Sequence, residues 1–408
     1  MRASRYFVVA VVLTGLSLGF SVSNRSVEAI SVGPATGQSA KRVVAKKPAV
    51  PLRKGWRIGS PISFERLTIF PVFSNESNSS QGFITLDEGL RSGKVIITEV
   101  GATGHSRRLG PLEQASDDAD VNKLMLTNRS GKMLVLIAGE LVVGGNQDRI
   151  VGHDCIVASS KTPVPLDVFC VEPGRWEERS AFGRSEHIER NTRGVVGGVS
   201  GGVPGGVAGG VPTSPALVPP VSLQNFSLAA GVMAAPGVRE KAQAAKDQTA
   251  VWTEVASIEK ENRVESATGT LNAVFENKEV SANIDAYERA LKNKLSEKRA
   301  VGIVVAVGGT VLSADVFADS RMFQAYWPKL LRSYALEAMS AGENKAERTD
   351  STAAEAFLAR VAGTKSSDGR KRVYRLVEHE SESEASFELV STLNKQPALI
   401  HFNRVNKD

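Results

Sequence analysis

Cysteine, histidine and long apolar runs are all scarce in these 408 residues, and each scarcity excludes something. Two cysteines, Cys155 and Cys170, cannot build a disulfide-dense scaffold. The five histidines, His105, His153, His187, His379 and His401, are scattered without metal-ligand spacing, and no cofactor is expected. No Gly-x-Ser-x-Gly elbow with partners and no Walker-type loop appears. The one sustained apolar run, Tyr6 to Phe20, is shorter than the ~20 residues that span a bilayer.

That run is preceded by Arg2 and Arg5 and followed by Val27-Glu28-Ala29, the pattern of a charged region, an apolar region and a small-residue cleavage site. The expectation is export, secreted or periplasmic, with a signal peptide over 1–29 cleaved near Ala29; the alternative is an N-terminal membrane anchor. A basic, Pro- and Ala-rich stretch, 30–61, reads as a disordered linker. The charge supports this division. Ten of the 50 Lys and Arg precede residue 61, with only Glu28 against them, leaving 40 basic and 43 acidic residues in the body, a net of −3. The basic character therefore belongs to the tail. A nucleic-acid partner needs a basic patch on the folded domain and is not expected; the tail suits an anionic membrane or wall surface, or serves only as a spacer.

Residues 194–212 repeat GGVS, GGVP, GGVA and GGVP, which cannot pack a core, so 190–220 reads as a disordered insertion. A phosphate cradle would occur once, between a strand and a helix. Around it, 62–404 reads as one α+β domain. Short strands fill the first half: Leu67–Val72, with Pro71 marking an edge or a strand end, Val95–Glu99, and a hairpin through Thr127–Gly131. Helical periodicity dominates the second half, as in Val251, Trp252, Val255 and Ile258, and in Trp327, Leu330, Leu331 and Tyr334. A hairpin through Gly308-Gly309, a helix capped by Asp350 and three closing strands complete it.

The chemistry concentrates in MLVLIAGELVVGGNQDR, residues 133–149, and in Cys170-Val-Glu-Pro-Gly-Arg-Trp176. A strand delivers Glu140 to a Gly-Gly turn, and Asn146, Gln147, Asp148 and Arg149 follow. Glu140 and Asp148 are the candidate catalytic carboxylates, a partly desolvated Glu140 being suited to acid–base work. Asn146, Gln147, Arg149, Glu172, Arg175 and Trp176 are the candidate ligand-binding residues, offering amide contacts, anion clamps and a stacking face. The competing reading makes Glu140–Arg149 and Glu172–Arg175 structural salt bridges around a buried Trp176. Treating 155–160 and 165–170 as one antiparallel hairpin sets Cys155 opposite Cys170, within disulfide reach; a thiol at Cys170 in the site is the alternative. Asp315 reads as a strand-end hydrogen-bonding residue.

The order of LTIFPV, TLDEGL, VIITEV, AGEL...GGNQDR, CVEPGRW, VWTEV, VESATGTLNAV, GIVVAVGGTVLSADVF and WPKLLRSYALEA resembles the prokaryotic family named for its association with ADP-ribosylglycohydrolase and rhodanese–phosphatase proteins. The resemblance covers about 62–404 without the insertion. It implies a role near ADP-ribose or nucleotide metabolism, by association only. The chain departs from the pattern in its export signal, and in Gly145 and Asp148, where a lysine-like or small residue is usual. Two functions are carried forward: an exported cell-envelope module for an unidentified small-molecule or envelope ligand, and a hydrolase-like enzyme acting on an ADP-ribose, nucleotide or sugar-phosphate substrate.

Overall fold

Tryptophan at 56 and the alternating apolar residues after it open the fold with three strands: β1 (Trp56–Ile58), β2 (Ile62–Phe64) and β3 (Leu67–Ser74). The computed structural model describes Arg53 and residues 55–407 except 77–78, 101–121, 146, 175–226, 297–298, 342–348, 360–363, 368–372 and 395. The expected leader, residues 30–52 of the linker and the Gly-Val insertion lie outside these. The linker boundary at 61 is corrected: β1 pairs with the end of β3, and Trp56 sets its ring edge-on to Phe402 at 5.3 Å.

The chain continues with β4 (Phe83–Thr85), α1 (Leu86–Arg91), β5 (Val95–Glu99), β6 (Lys123–Asn128), β7 (Met133–Leu136), β8 (Glu140–Val143), β9 (Arg149–Val151), β10 (Cys155–Val157) and β11 (Val164–Cys170). A reciprocal box starts α1: the Thr85 hydroxyl accepts from Glu88 N–H and the Glu88 carboxylate from Thr85 N–H. Next come β12 (Ser227–Met233), α2 (Pro236–Glu240), a π-helical turn (Lys241–Ala245), α3 (Gln248–Glu261), α4 (Leu271–Glu276) and α5 (Lys278–Ser296). The remainder is β13 (Gly302–Val307), β14 (Thr310–Phe317), α6 (Ser320–Ser340), α7 (Ser351–Ala359), β15 (Thr364–Ser367), β16 (Tyr374–Glu380), β17 (Glu384–Ser391) and β18 (Ala398–Asn406). Asp350 caps α7 as expected, accepting from Ala353 N–H at 2.9 Å.

The fold is α+β with antiparallel sheets. The largest sheet runs β1-β3-β13-β14-β18-β17-β16-β15, with β2 also on β3. It unites the first strands of the chain with the last. Both faces are buried. Leu67, Ile69, Ile303 and Val305 point into the main core with α6, while Phe70, Val72, Val304 and Ala306 point into a second core under α7. This is why GIVVAV is apolar at every position instead of at alternate ones.

Three local expectations change. Pro71 sits inside the sheet, opposite Ile303. Its carbonyl accepts from Gly59 N–H at 2.8 Å, so its missing N–H faces the bend between β1 and β2, where no ladder bond is forfeited. The turn at 127–131 does not make a hairpin: β6 joins a six-stranded sheet, β12-β8-β9-β11-β6-β5, and β7 joins a three-stranded one, β10-β7-β4. The hairpin reading of 155–170 fails likewise. β10 pairs Cys155 with Leu136 of β7, whereas β11 pairs Cys170 with Arg149 of β9. The two cysteines stand in different sheets, and no disulfide joins them.

Candidate functional site

The turn between β7 and β8 explains the Ala-Gly-Glu of the central motif residue by residue. Ile137 N–H donates to Glu140 Oε2 at 2.7 Å, and Ala138 N–H donates to Asp154 Oδ1 at 2.8 Å. Gly139, at φ +88°, carries the chain past Arg239, where a Cβ would lie 2.5 Å from the arginine Cγ. Only glycine satisfies both demands.

Glu140 is fully buried, and its other oxygen forms an ion pair with Lys329 of α6. Lys329 also bonds Asp87 Oδ1 at 3.1 Å and lies 4.6 Å from the centre of the Tyr326 ring. Burial pushes the Glu140 carboxyl above its ordinary range, and Lys329 pulls back against it. Burial opposes the Lys329 charge too, but Glu140 and Asp87 hold its ammonium above the ordinary lysine value. Both directions are consistent, because one cation serves two acids.

A second network lies on the same side of the large sheet. Asp315, fully buried on β14, takes two parallel bonds from Arg239, Nη2 to Oδ1 at 2.7 Å and Nη1 to Oδ2 at 3.2 Å. It also accepts from the Tyr334 hydroxyl and from Asn403 Nδ2 at 3.1 Å. His401 bridges onward, Nε2 to Asp315 Oδ1 at 3.1 Å and Nδ1 to Asp154 Oδ2 at 2.5 Å. Desolvation alone would raise the Asp315 carboxyl; Arg239 and His401 reverse that and hold it well below the usual range. Phe317 joins the two networks, stacking on Tyr326 at 5.0 Å and packing on His401 at 4.4 Å.

The other predicted residues meet at three interlocked loops. Asp148 accepts from Gly144 N–H at 3.2 Å and from the Thr270 hydroxyl at 2.7 Å. Glu172 accepts from Asp148 N–H at 3.0 Å and from the Thr268 hydroxyl at 2.7 Å. Arg149 reaches Glu99 at 3.0 Å and the Gln147 carbonyl at 3.1 Å. Glu140, Gln147, Asp148, Arg149 and Glu172 are all at most 4% exposed. Thus the motif carboxylates and Arg149 are engaged within the protein, although the cation at Glu140 is Lys329 and the acid at Arg149 is Glu99. The side-chain nitrogen of Gln147 is buried without a partner among the described residues. Asn146, Arg175 and Trp176 lie outside the described residues. Cys170 is fully buried; burial pushes its thiol up, away from nucleophilic character.

Sequence reasoning missed Lys329, Arg239, Asp154, His401 and Asn403, and gave Asp315 its hydrogen-bonding role without these partners. A signal existed: Lys329 interrupts the apolar face of α6, and His401 and Asn403 take alternate, buried positions of β18. A polar residue on a buried face needs a partner. The sequence did not say which. Among the described residues no group of three or more His, Cys, Asp and Glu is placed to hold a metal, and no helix is long and apolar enough to cross a membrane. Two surface clefts, one of them about 350 Å³, are lined by none of the candidate catalytic or ligand-binding residues.

The family model described as the ARG and Rhodanese-Phosphatase-superfamily-associated Protein domain matches residues 55–195 and 223–405, on either side of the Gly-Val repeats. Neither the curated proteins nor the solved structures provide a match to the chain.

Proposed function

We propose that this chain, which belongs to the ARG and Rhodanese-Phosphatase-superfamily-associated Protein domain family, is an exported cell-envelope module that binds a ligand through loops held rigid from below. The observation that carries this reading is the Gln147 side-chain nitrogen, without a partner among the described residues, in a loop held by the internal pairing of Glu140, Asp148, Arg149 and Glu172. Groups committed in this way fix the shape of a loop, as a buried polar network does when all its members are bonded. The buried Gln147 amide nitrogen is the donor of this motif that a polar ligand would satisfy. Export rests on Arg2, Arg5, the Tyr6–Phe20 run and Ala29, and the basic residues after Ala29 suit contact with an anionic membrane or wall surface.

The test is calorimetric titration of the mature chain with ADP-ribose, nucleotides, sugar phosphates and simple glycans, with product analysis on the same samples. The expected outcome is saturable binding without turnover, weakened about 10-fold or more by Gln147→Leu. Turnover abolished by Glu140→Gln or Asp148→Asn, with binding retained, would establish the hydrolase reading instead. N-terminal sequencing of the chain recovered outside the cytoplasm should begin near residue 30. Recovery only in the cytoplasm with Met1 intact would overturn export.

A further inference from the structure

We infer that His401 is doubly protonated in the folded chain and acts as a proton-dependent latch, fastening the loop before β10, and through it the β7–β8 turn, to the large sheet. The geometry suits two ring protons. Nδ1 faces Asp154 Oδ2 at 2.5 Å and Nε2 faces Asp315 Oδ1 at 3.1 Å. A neutral imidazole has one N–H and would turn its lone pair toward the other carboxylate. Asp154 in turn holds Ala138 N–H, so the latch reaches the backbone next to Glu140.

Charge balance likewise calls for one added proton in this cluster. The groups facing His401 are Asp154 from the loop before β10 and Asp315 from β14. Arg239 of α2 and Tyr334 of α6 stand beyond Asp315, and the ring of Phe317 packs on the imidazole with Tyr326 stacked behind it. Asp154, Asp315, Arg239 and His401 are each 0% exposed. With imidazolium the four sum to zero; without its proton a net negative charge is left buried away from bulk solvent. Burial by itself would lower the His401 pKa, but Asp154 and Asp315 push it up to about 9, from 6.5 for an ordinary histidine.

A folded value above the unfolded one stabilises the protein fully below pH 6.5 and ceases to do so as pH rises through about 9. The difference corresponds to about a 300-fold change in the folding constant between those limits. The latch therefore releases on the alkaline side.

The experiment is nitrogen NMR of the full chain labelled at histidine, with His401 assigned from H401N. Both ring nitrogens of His401 are expected to be protonated at pH 7.5 and to titrate near pH 9, with the Ala138 amide shift moving at the same midpoint. A singly protonated ring at pH 7.5, the proton residing on Asp154, would overturn the inference, as would an Ala138 amide that does not follow. Urea titrations between pH 6.5 and 9.5 should show wild-type folding weakening by about 100-fold more than H401N. If H401N does not fold, D154N serves: its His401 midpoint is expected to fall toward 6.5, and a midpoint unmoved from 9 refutes the latch.

Discussion

Replacing Lys329 by methionine isolates the buried ion pair beneath the central motif. Methionine keeps the volume and the apolar stem against Tyr326 while removing the charge. Asp87, the more exposed of the two acids at 14%, can turn to water. Glu140, at 0%, cannot, and keeps only the Ile137 N–H at 2.7 Å. The cost is therefore set by one uncompensated buried carboxylate, about 3–5 kcal/mol, and lost cation–π contact adds no more than about 1 kcal/mol. The carboxyl, already raised by burial, rises further once Lys329 is gone. A raised folded value means stability lost as pH increases, so the penalty should grow between pH 5.5 and 8, by at most about 1.4 kcal/mol per unit. Equilibrium urea unfolding at both pH values measures this. Adding Glu140→Gln removes the charge and should recover on the order of 2 kcal/mol relative to additivity. A single-variant cost below about 1 kcal/mol, or strictly additive effects, would refute the view that this pair is buried and coupled.

Gly139→Ala should lower stability by about 2–4 kcal/mol, since its Cβ meets Arg239 at 2.5 Å in a left-handed backbone; an unchanged melting temperature contradicts that packing. Tyr334→Phe removes one of the donors to Asp315 and should cost about 1.5–3 kcal/mol by chemical denaturation, the range for a hydrogen bond to a charged group. Cys155 and Cys170 should both alkylate in unfolded, unreduced protein, giving a two-thiol mass shift, and reductant should leave the melting temperature unchanged. A mass lacking both additions would restore the bridge.

Local grammar was readable because it is local. The Gly308-Gly309 hairpin has both glycines at positive φ, and Asp350 caps its helix through a bond three residues away. The Glu140 neighbourhood was located for the same reason: a strand, a glycine turn and a polar run announce a built loop. Its partners were not legible. Lys329 lies 189 residues from Glu140, and Arg239, Asp315 and His401 come from three separate elements. Periodicity says that such residues face inward, never which charge they meet. The cysteines show the converse error. A plausible register between neighbouring segments lost to longer-range pairing, with β7 taking one segment and β9 the other.

The large sheet places the first strands of the chain beside strands made much later. Ile69 pairs with Val305, 236 positions further on. At a synthesis rate of ~5–20 residues per second, β3 waits roughly 10–50 s for that neighbour to exist. Meanwhile Phe70 and Val72 have no second core to enter, since α7 and β18 emerge later still. Such high contact order makes folding slow and postpones it to the end of synthesis. Under the export proposed above, that delay would keep the sheet open until the last strands have been made.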